Sequence, residues 1–120
     1  MLVAIPTNGD DLSGRVDERF GRCARFILVD PETKEFKVVA NPAAVQSGGA
    51  GITAAQTVVD QGADVVIAGD VGPNAFSVLE RARIKVYSRV SGTITDALGL
   101  LSSEQTELAG AATGPARHGR

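Results

Sequence analysis

The chain has few of the residues that build metal knuckles, disulfides and aromatic stacking surfaces. Its 120 residues include one cysteine, one histidine, one tyrosine and no tryptophan. A single cysteine, Cys23, excludes an internal disulfide and a Cys-x-x-Cys metal motif. The single histidine, His118, lies near the C-terminus. Because the chain has only one cysteine and one histidine, one copy cannot supply four such ligands to zinc. A dedicated structural zinc site is therefore excluded for the monomer.

Charge and hydropathy exclude two further classes of protein. The formal net charge is −2, so the basic surface typical of nucleic-acid binders is absent, and the aromatic platforms that stack single strands are absent too. No apolar run approaches the length of a membrane span, and the N-terminus lacks a charged region followed by a signal-peptide core. We therefore expect a cytoplasmic protein that binds neither nucleic acid nor membrane.

The hydrophobic pattern predicts an α/β domain with segments in the order β-β-β-α-β-α-β-α. Residues 31–34 alone link the second and third strands, so those strands form an antiparallel hairpin. The later strands alternate with helices, which requires right-handed parallel crossovers. We predict a three-layer fold whose mixed five-stranded sheet has the order 3-2-1-4-5, with strand 2 antiparallel to strand 1, as in ribonuclease-H-like folds. The predicted strands are 2–5, 25–30, 35–40, 64–68 and 84–87, and the predicted helices begin at residues 50, 73 and 93.

The helical periodicity also predicts which side chains face the core. In the first helix these are Ile52, Ala55 and Val59, and in the second they are Phe76, Leu79 and Ala82. The sequence Thr93-x-x-Asp96 predicts a capping box at the start of the third helix.

The chain divides into one domain and a tail. At this length we expect a single core, which we assign to residues 1–109. Residues 110–120 offer almost no apolar side chain to bury, so we predict a flexible tail.

Two glycine-bearing segments each precede a predicted helix. The first contains Gly48, Gly49 and Gly51, and the second runs from Gly69 to Asn74. A helix N-terminus carries partial positive charge, and glycine leaves backbone N–H groups uncovered, so each segment could cradle an anion. The alternatives are an ordinary turn into a helix and, for Asp70 and Asn74, capping of the second helix.

The predicted topology gathers these segments at one edge of the sheet. The strand order reverses between strands 1 and 4, and open α/β sheets place ligands at such a point. The loops that follow strands 1, 3, 4 and 5 all reach this edge, as does the start of strand 2. The candidate ligand-contacting residues there are Thr7, Asn8, Arg19, Arg22, Cys23, Gly48, Gly49, Gly51, Gly69, Asp70 and Asn74.

Cys23 lies in a segment, residues 14–25, that contains four arginines and two acids. Nearby guanidinium groups favour the thiolate form, which is the form that ligates metals. The alternative is a small buried hydrophobic side chain at the start of a strand. For the arginines, the alternative to anion recognition is surface ion pairing with Asp17, Glu18 and Glu32.

Catalytic interpretations have less support. A ribonuclease-H-type nuclease needs a carboxylate on the first strand to hold metal ions, and residues 2–5 contain none. A Ser-His-Asp triad and a phosphate-binding Gly-x-x-x-x-Gly-Lys motif are also missing. We therefore expect a protein that is not an enzyme. The alternatives are a small-anion-binding regulatory module and, with less support, a hydrolase using Asp70 or Asp10.

Four motifs in order resemble the dinitrogenase iron–molybdenum cofactor biosynthesis family, which includes NifX-like carriers. They are Ala4-Ile5-Pro6-Thr7, Glu18-Arg19-Phe20-Gly21-Arg22-Cys23, Gly48-Gly49-Ala50-Gly51 and Gly69-Asp70-Val71-Gly72-Pro73-Asn74-Ala75-Phe76. The resemblance covers residues 1–101.

The resemblance implies a ribonuclease-H-like fold without nuclease activity. It also implies carriage of an iron–sulfur or iron–molybdenum cofactor precursor and contact with metallocluster assembly or acceptor proteins. If such a cluster binds, the Cys23 thiolate is the expected metal ligand, because it is the one strong soft ligand in the chain. The chain departs from the family in having no histidine in residues 44–47 before the glycine loop and only His118 in its tail.

The tail assignment leads to a first prediction. Truncation at Gly110 should change the melting temperature by no more than about a few degrees, because unpacked chain contributes little to stability. Thermal unfolding of the full and truncated chains, followed by circular dichroism, measures this. A large drop would show that the tail packs on the domain.

Overall fold

The computed structural model describes residues 1–103. The predicted tail, residues 110–120, lies outside these residues. The sheet contains five strands: β1 (Val3–Thr7), β2 (Arg25–Val29), β3 (Phe36–Ala40), β4 (Val65–Ile67) and β5 (Lys85–Tyr87). The α-helices are α1 (Ala50–Asp60), α2 (Pro73–Arg81) and α3 (Ile94–Ser103), and a short 3-10 helix spans Pro42–Val45. Within residues 1–103 no helix is long and apolar enough to cross a membrane.

The sheet has the predicted topology. Its strand order is β3-β2-β1-β4-β5. Strand β1 is antiparallel to β2, with Ile5 opposite Ile27, and parallel to β4, with Val3 opposite Val65. The mixed five-stranded α/β fold is therefore confirmed. The predicted capping box is also present, because the Asp96 backbone N–H donates to Thr93 Oγ1 at 3.0 Å.

Alternation along the strands divides the core between the two faces of the sheet. One face packs against α1 and α2 and buries Ala4, Phe26 and Leu28. The other face packs against α3 and buries Ile5 and Ile27. Because successive side chains of a strand point to opposite faces, β1 and β2 each supply both cores. The result is three layers, with the sheet in the middle.

The predicted inward faces of α1 and α2 are partly wrong. Ile52 is 47% exposed, whereas the smaller Ala54, Ala55 and Val58 are buried. Of the other two predicted residues of α1, Ala55 is buried and Val59 is half-buried. The first turns of α1 and α2 approach each other through small residues: a methyl group added at Gly51 would lie 3.4 Å from the Ala75 Cβ.

In helix α2, too, the buried residues differ in part from the predicted ones. Ala75 and Leu79 are its buried residues. Phe76 is half-buried and Ala82 is exposed, so of the three predicted inward residues Leu79 alone is fully buried.

One glycine permits the segment after β1 to lie directly on the end of β4. A Cβ added at Gly69 would be 2.7 Å from the Glu18 Cα, a distance that backbone atoms cannot accommodate without moving. The Asp70 backbone N–H donates to the Glu18 carbonyl at 2.9 Å across the same contact.

We therefore predict that Gly69→Ala lowers the free energy of unfolding by about 1–3 kcal/mol, because the new methyl overpacks backbone against backbone. Gly48→Ala is the matched control: nothing lies within 4 Å of a Cβ there. Its effect should stay within about 0.5 kcal/mol. Urea denaturation of both variants measures the difference, and equal stabilities would contradict the contact.

Candidate functional site

Backbone hydrogen bonds bring four loops to one edge of the sheet. The Asp70 N–H donates to the Glu18 carbonyl at 2.9 Å, and the Arg89 N–H donates to the Gly69 carbonyl at 2.7 Å. The Asn41 N–H donates to the Ala24 carbonyl at 3.0 Å. The segments that follow β1, β3, β4 and β5 thus form one surface.

The N-termini of α1 and α2 meet at this edge in a cleft of about 200 Å³. Both N-caps are glycines, Gly49 with a left-handed φ of 71° and Gly72 with an extended backbone, and neither provides a side-chain cap. The first-turn N–H groups of both helices are therefore not covered by a capping side chain, and two helix dipoles add their positive ends. The lining residues are Phe20, Gly21, Gly49, Ala50, Gly51, Ile52, Gly72, Pro73, Asn74 and Ala75.

Arg22 adds a full positive charge beside this cleft. Its guanidinium Nη1 donates to the Gln46 carbonyl, and Gln46 Nε2 donates to the Gly48 carbonyl at 2.9 Å. The Arg22 side chain is exposed, so its remaining donors face solvent. Of the predicted residues, Gly49, Gly51 and Asn74 line the cleft, and Gly48 lies on the loop leading to it. Arg22 follows Gly21, which lines the cleft, and donates to that loop.

The capping alternative for the second glycine segment is wrong. Gly72 is the N-cap of α2, and no side chain accepts a capping hydrogen bond there. Asn74 instead lines the cleft. Gly69 and Asp70 line a separate cavity of about 380 Å³ together with Glu18 and Arg89.

Arg19 is paired within the protein. Its Nε lies 3.3 Å from Asp17 Oδ1, and the hydrogen bond and charge of Asp17 raise the pKa of the guanidinium. It lines a third cavity, of about 480 Å³, together with Asn8 and Arg15. Arg19 thus forms the predicted ion pair with Asp17, whereas the guanidinium of Arg22 donates to a backbone carbonyl. Contact of either arginine with a ligand stays a prediction.

Thr7 and Asn8 hold the segment that follows β1. The buried Thr7 hydroxyl donates to the Arg15 carbonyl at 2.8 Å and accepts from the Gly9 N–H at 2.9 Å. Asn8 Oδ1 accepts from the Ala24 N–H at 3.1 Å. These hydrogen bonds fix the segment over the sheet edge; contact of either residue with a ligand stays a prediction.

Cys23 is buried in the core, with 0% of its surface exposed. Burial, and then the nearby Asp17 charge, raise the pKa of the thiol to about 12. The sulfur lies 3.4 Å from the Phe20 carbonyl and 3.6 Å from Asn41 Nδ2. The expectation that arginines favour a thiolate here is therefore wrong. A metal-ligand role for Cys23 stays a prediction, and residues 1–103 contain no cluster of three or more His, Cys, Asp or Glu side chains that could hold a metal ion.

Sequence reasoning missed Asn41, which is 4% exposed and lies between the Cys23 segment and the glycine loop. Its amide donates to the Gly21 and Cys23 carbonyls at 3.1 and 2.9 Å. The signal available in the sequence was Asn41-Pro42 directly after a strand, because asparagine before proline is typical of a turn or a helix start.

The raised pKa gives a pH prediction. Since the folded thiol ionises well above its ordinary value of 9.0, the unfolded chain loses its proton first, and stability falls as pH rises through that value. Between pH 8 and pH 10 the parent should lose about 1–2 kcal/mol of unfolding free energy relative to Cys23→Ala. Urea denaturation at each pH measures this; a parent that gains stability relative to Cys23→Ala would indicate a native thiolate.

Comparisons with known proteins show the family and the fold of the chain. The chain is 39% identical to the apo form of the orange protein from Desulfovibrio gigas, with a TM-score of 0.90 over 94% of this chain and 96% of that one. A Thermotoga protein proposed to be NifB is 37% identical, with a TM-score of 0.79 over 94% and 97%. An uncharacterised protein of Methanocaldococcus jannaschii is 30% identical, over 89% of this chain and 90% of that one. The sequence profile of the dinitrogenase iron–molybdenum cofactor family matches residues 1–104, and the chain belongs to that family.

Proposed function

We propose that this protein binds and carries an anionic iron–sulfur or iron–molybdenum cofactor precursor, without catalysing a reaction itself. The observation that carries the proposal is the cleft where two helix N-termini without side-chain caps meet next to Arg22. Family membership supplies the chemical class of the cargo.

The cleft matches a sulfide-bearing anion in charge and polarity. Its lining includes no carboxylate, and most of its side chains are small or apolar, such as Phe20, Ile52 and Ala75. A poorly hydrated anion loses little on entering such a surface, and backbone N–H groups with Arg22 would offset its charge.

The arrangement suits a cargo that must be released. Residues 1–103 contain no set of three clustered metal-ligating side chains, and Cys23 has no exposed surface. A preassembled cluster would therefore be held mainly by hydrogen bonds and charge, which exchange faster than metal–sulfur bonds. Such a carrier acts between metallocluster assembly and acceptor proteins, which we propose as its partners, in the cytoplasm.

Arg22→Ala tests the site directly. The variant should bind the reconstituted cluster about tenfold more weakly, the effect expected for one lost charge-assisted contact. The measurement is a visible-absorption titration of anaerobic protein with ferrous iron, molybdate and sulfide. The matched control is Arg81→Ala, which removes the same charge from the C-terminal end of α2. It should bind as the parent does.

Two outcomes would overturn the proposal. If the anaerobic parent takes up no iron or molybdenum, the cleft belongs to a small-anion-binding module instead. If Arg22→Ala and Arg81→Ala bind equally, the cluster does not lie at this cleft. A third result would refine the proposal: if Cys23→Ala loses the cluster absorption and the other variants keep it, the Cys23 sulfur becomes a ligand on binding.

A further inference from the structure

The side-chain amide of Asn41 is buried, and its nitrogen and its oxygen both form hydrogen bonds. Nδ2 donates to the Gly21 carbonyl at 3.1 Å and to the Cys23 carbonyl at 2.9 Å. Oδ1 accepts from the Ala43 N–H at 3.1 Å. Because a buried polar group that loses its partners pays the full desolvation penalty, this residue strongly favours one arrangement of the chain around it.

The two carbonyls that Asn41 holds lie on either side of Arg22. Fixing the backbone of Gly21 and Cys23 fixes the direction in which the Arg22 side chain leaves the chain. Gly21 also packs against the first turn of α1, since a Cβ added there would lie 3.1 Å from the Gly51 N atom. Contacts of the 20–24 segment thus fix where Arg22 lies relative to the α1 N-terminus.

The Arg22 side chain provides a second connection between the 20–24 segment and the loop before α1. Its guanidinium donates to the carbonyl of Gln46, in the loop that starts at Asn41 and ends at the Gly49 N-cap. Asn41 therefore begins the loop that Arg22 holds, and it also holds the backbone that carries Arg22. Hydrogen bonds from the Asn41 amide and from the Arg22 guanidinium thus join the 20–24 segment and the 41–49 loop at two points.

We propose that Asn41 is the positioning residue of the anion cleft, acting through Arg22; this inference rests on the proposed function. The role requires an amide. Aspartate at this position would keep the acceptor for the Ala43 N–H but would place a carboxylate against two carbonyl oxygens, so the 20–24 segment would be released. Serine would also keep the acceptor but could not donate to both carbonyls.

A double-mutant cycle separates positioning from general support of the fold. Asn41→Asp should weaken cluster binding about tenfold, and Arg22→Ala should then cause less than about a twofold further loss, because coupled residues are not additive. The control is Val29→Ala, which removes a fully buried side chain at the far end of β2. In that background Arg22→Ala should keep its full effect. If Arg22→Ala costs the same in both backgrounds, the proposal is wrong.

A ligand-free measurement distinguishes this proposal from the proposed function. Alkylation of Cys23 by iodoacetamide in the folded protein should be about tenfold faster in Asn41→Ser than in Val29→Ala, because local opening of the segment exposes the sulfur and serine adds no negative charge beside it. Equal rates would overturn the positioning role even if the parent binds cluster. If the parent binds none, the proposed function fails, and faster alkylation would still show that Asn41 fixes the segment. Asn41→Ser also replaces Asn41→Asp in the double-mutant cycle if the aspartate variant does not fold.

Discussion

The contact on which the edge of this domain depends is the approach of the 15–22 segment to the ends of β4 and α1. Gly69 lets the Glu18 backbone lie on the end of β4, and Gly21 lets the same segment lie on the first turn of α1. The hydrogen bond from the Asp70 N–H to the Glu18 carbonyl holds the first approach. This contact joins the loops after β1 and β4, and Glu18 lines a cavity on either side of it.

The sheet was accessible to sequence reasoning because its determinants are local. A four-residue link allows only a hairpin, and alternating strands and helices allow only parallel crossovers. The packing of the helices was less accessible. Hydrophobicity favoured Ile52 as a core residue, yet Ile52 is exposed, and the first turn of α1 faces α2 through Gly51, opposite Ala75, a contact that appears only in three dimensions.

The candidate site, like the fold, was predictable from the sequence only in part. Glycine before each helix, together with the predicted strand order, predicted that the two segments meet at one edge of the sheet; anion binding there stays a prediction. The setting of Cys23 was not predictable from neighbouring charges in the sequence. Arg22 lies next to Cys23 in the chain, but its side chain extends to Gln46, whereas the buried Asp17 is among the groups that raise the pKa of the thiol. Sequence proximity gave the wrong sign because burial dominates the ionisation of this sulfur.

The small-residue contact between α1 and α2 also has a consequence for the shape of the cleft. Gly51 lies opposite the Ala75 methyl group, and a Cβ added at Gly51 would be 3.4 Å from it, so the spacing of the two first turns there does not depend on a side chain that can rotate. Widening the gap would require moving a helix whose buried face is already packed on the sheet. The width of the cleft at this point is therefore set by backbone and one methyl group, and it changes only if a helix moves.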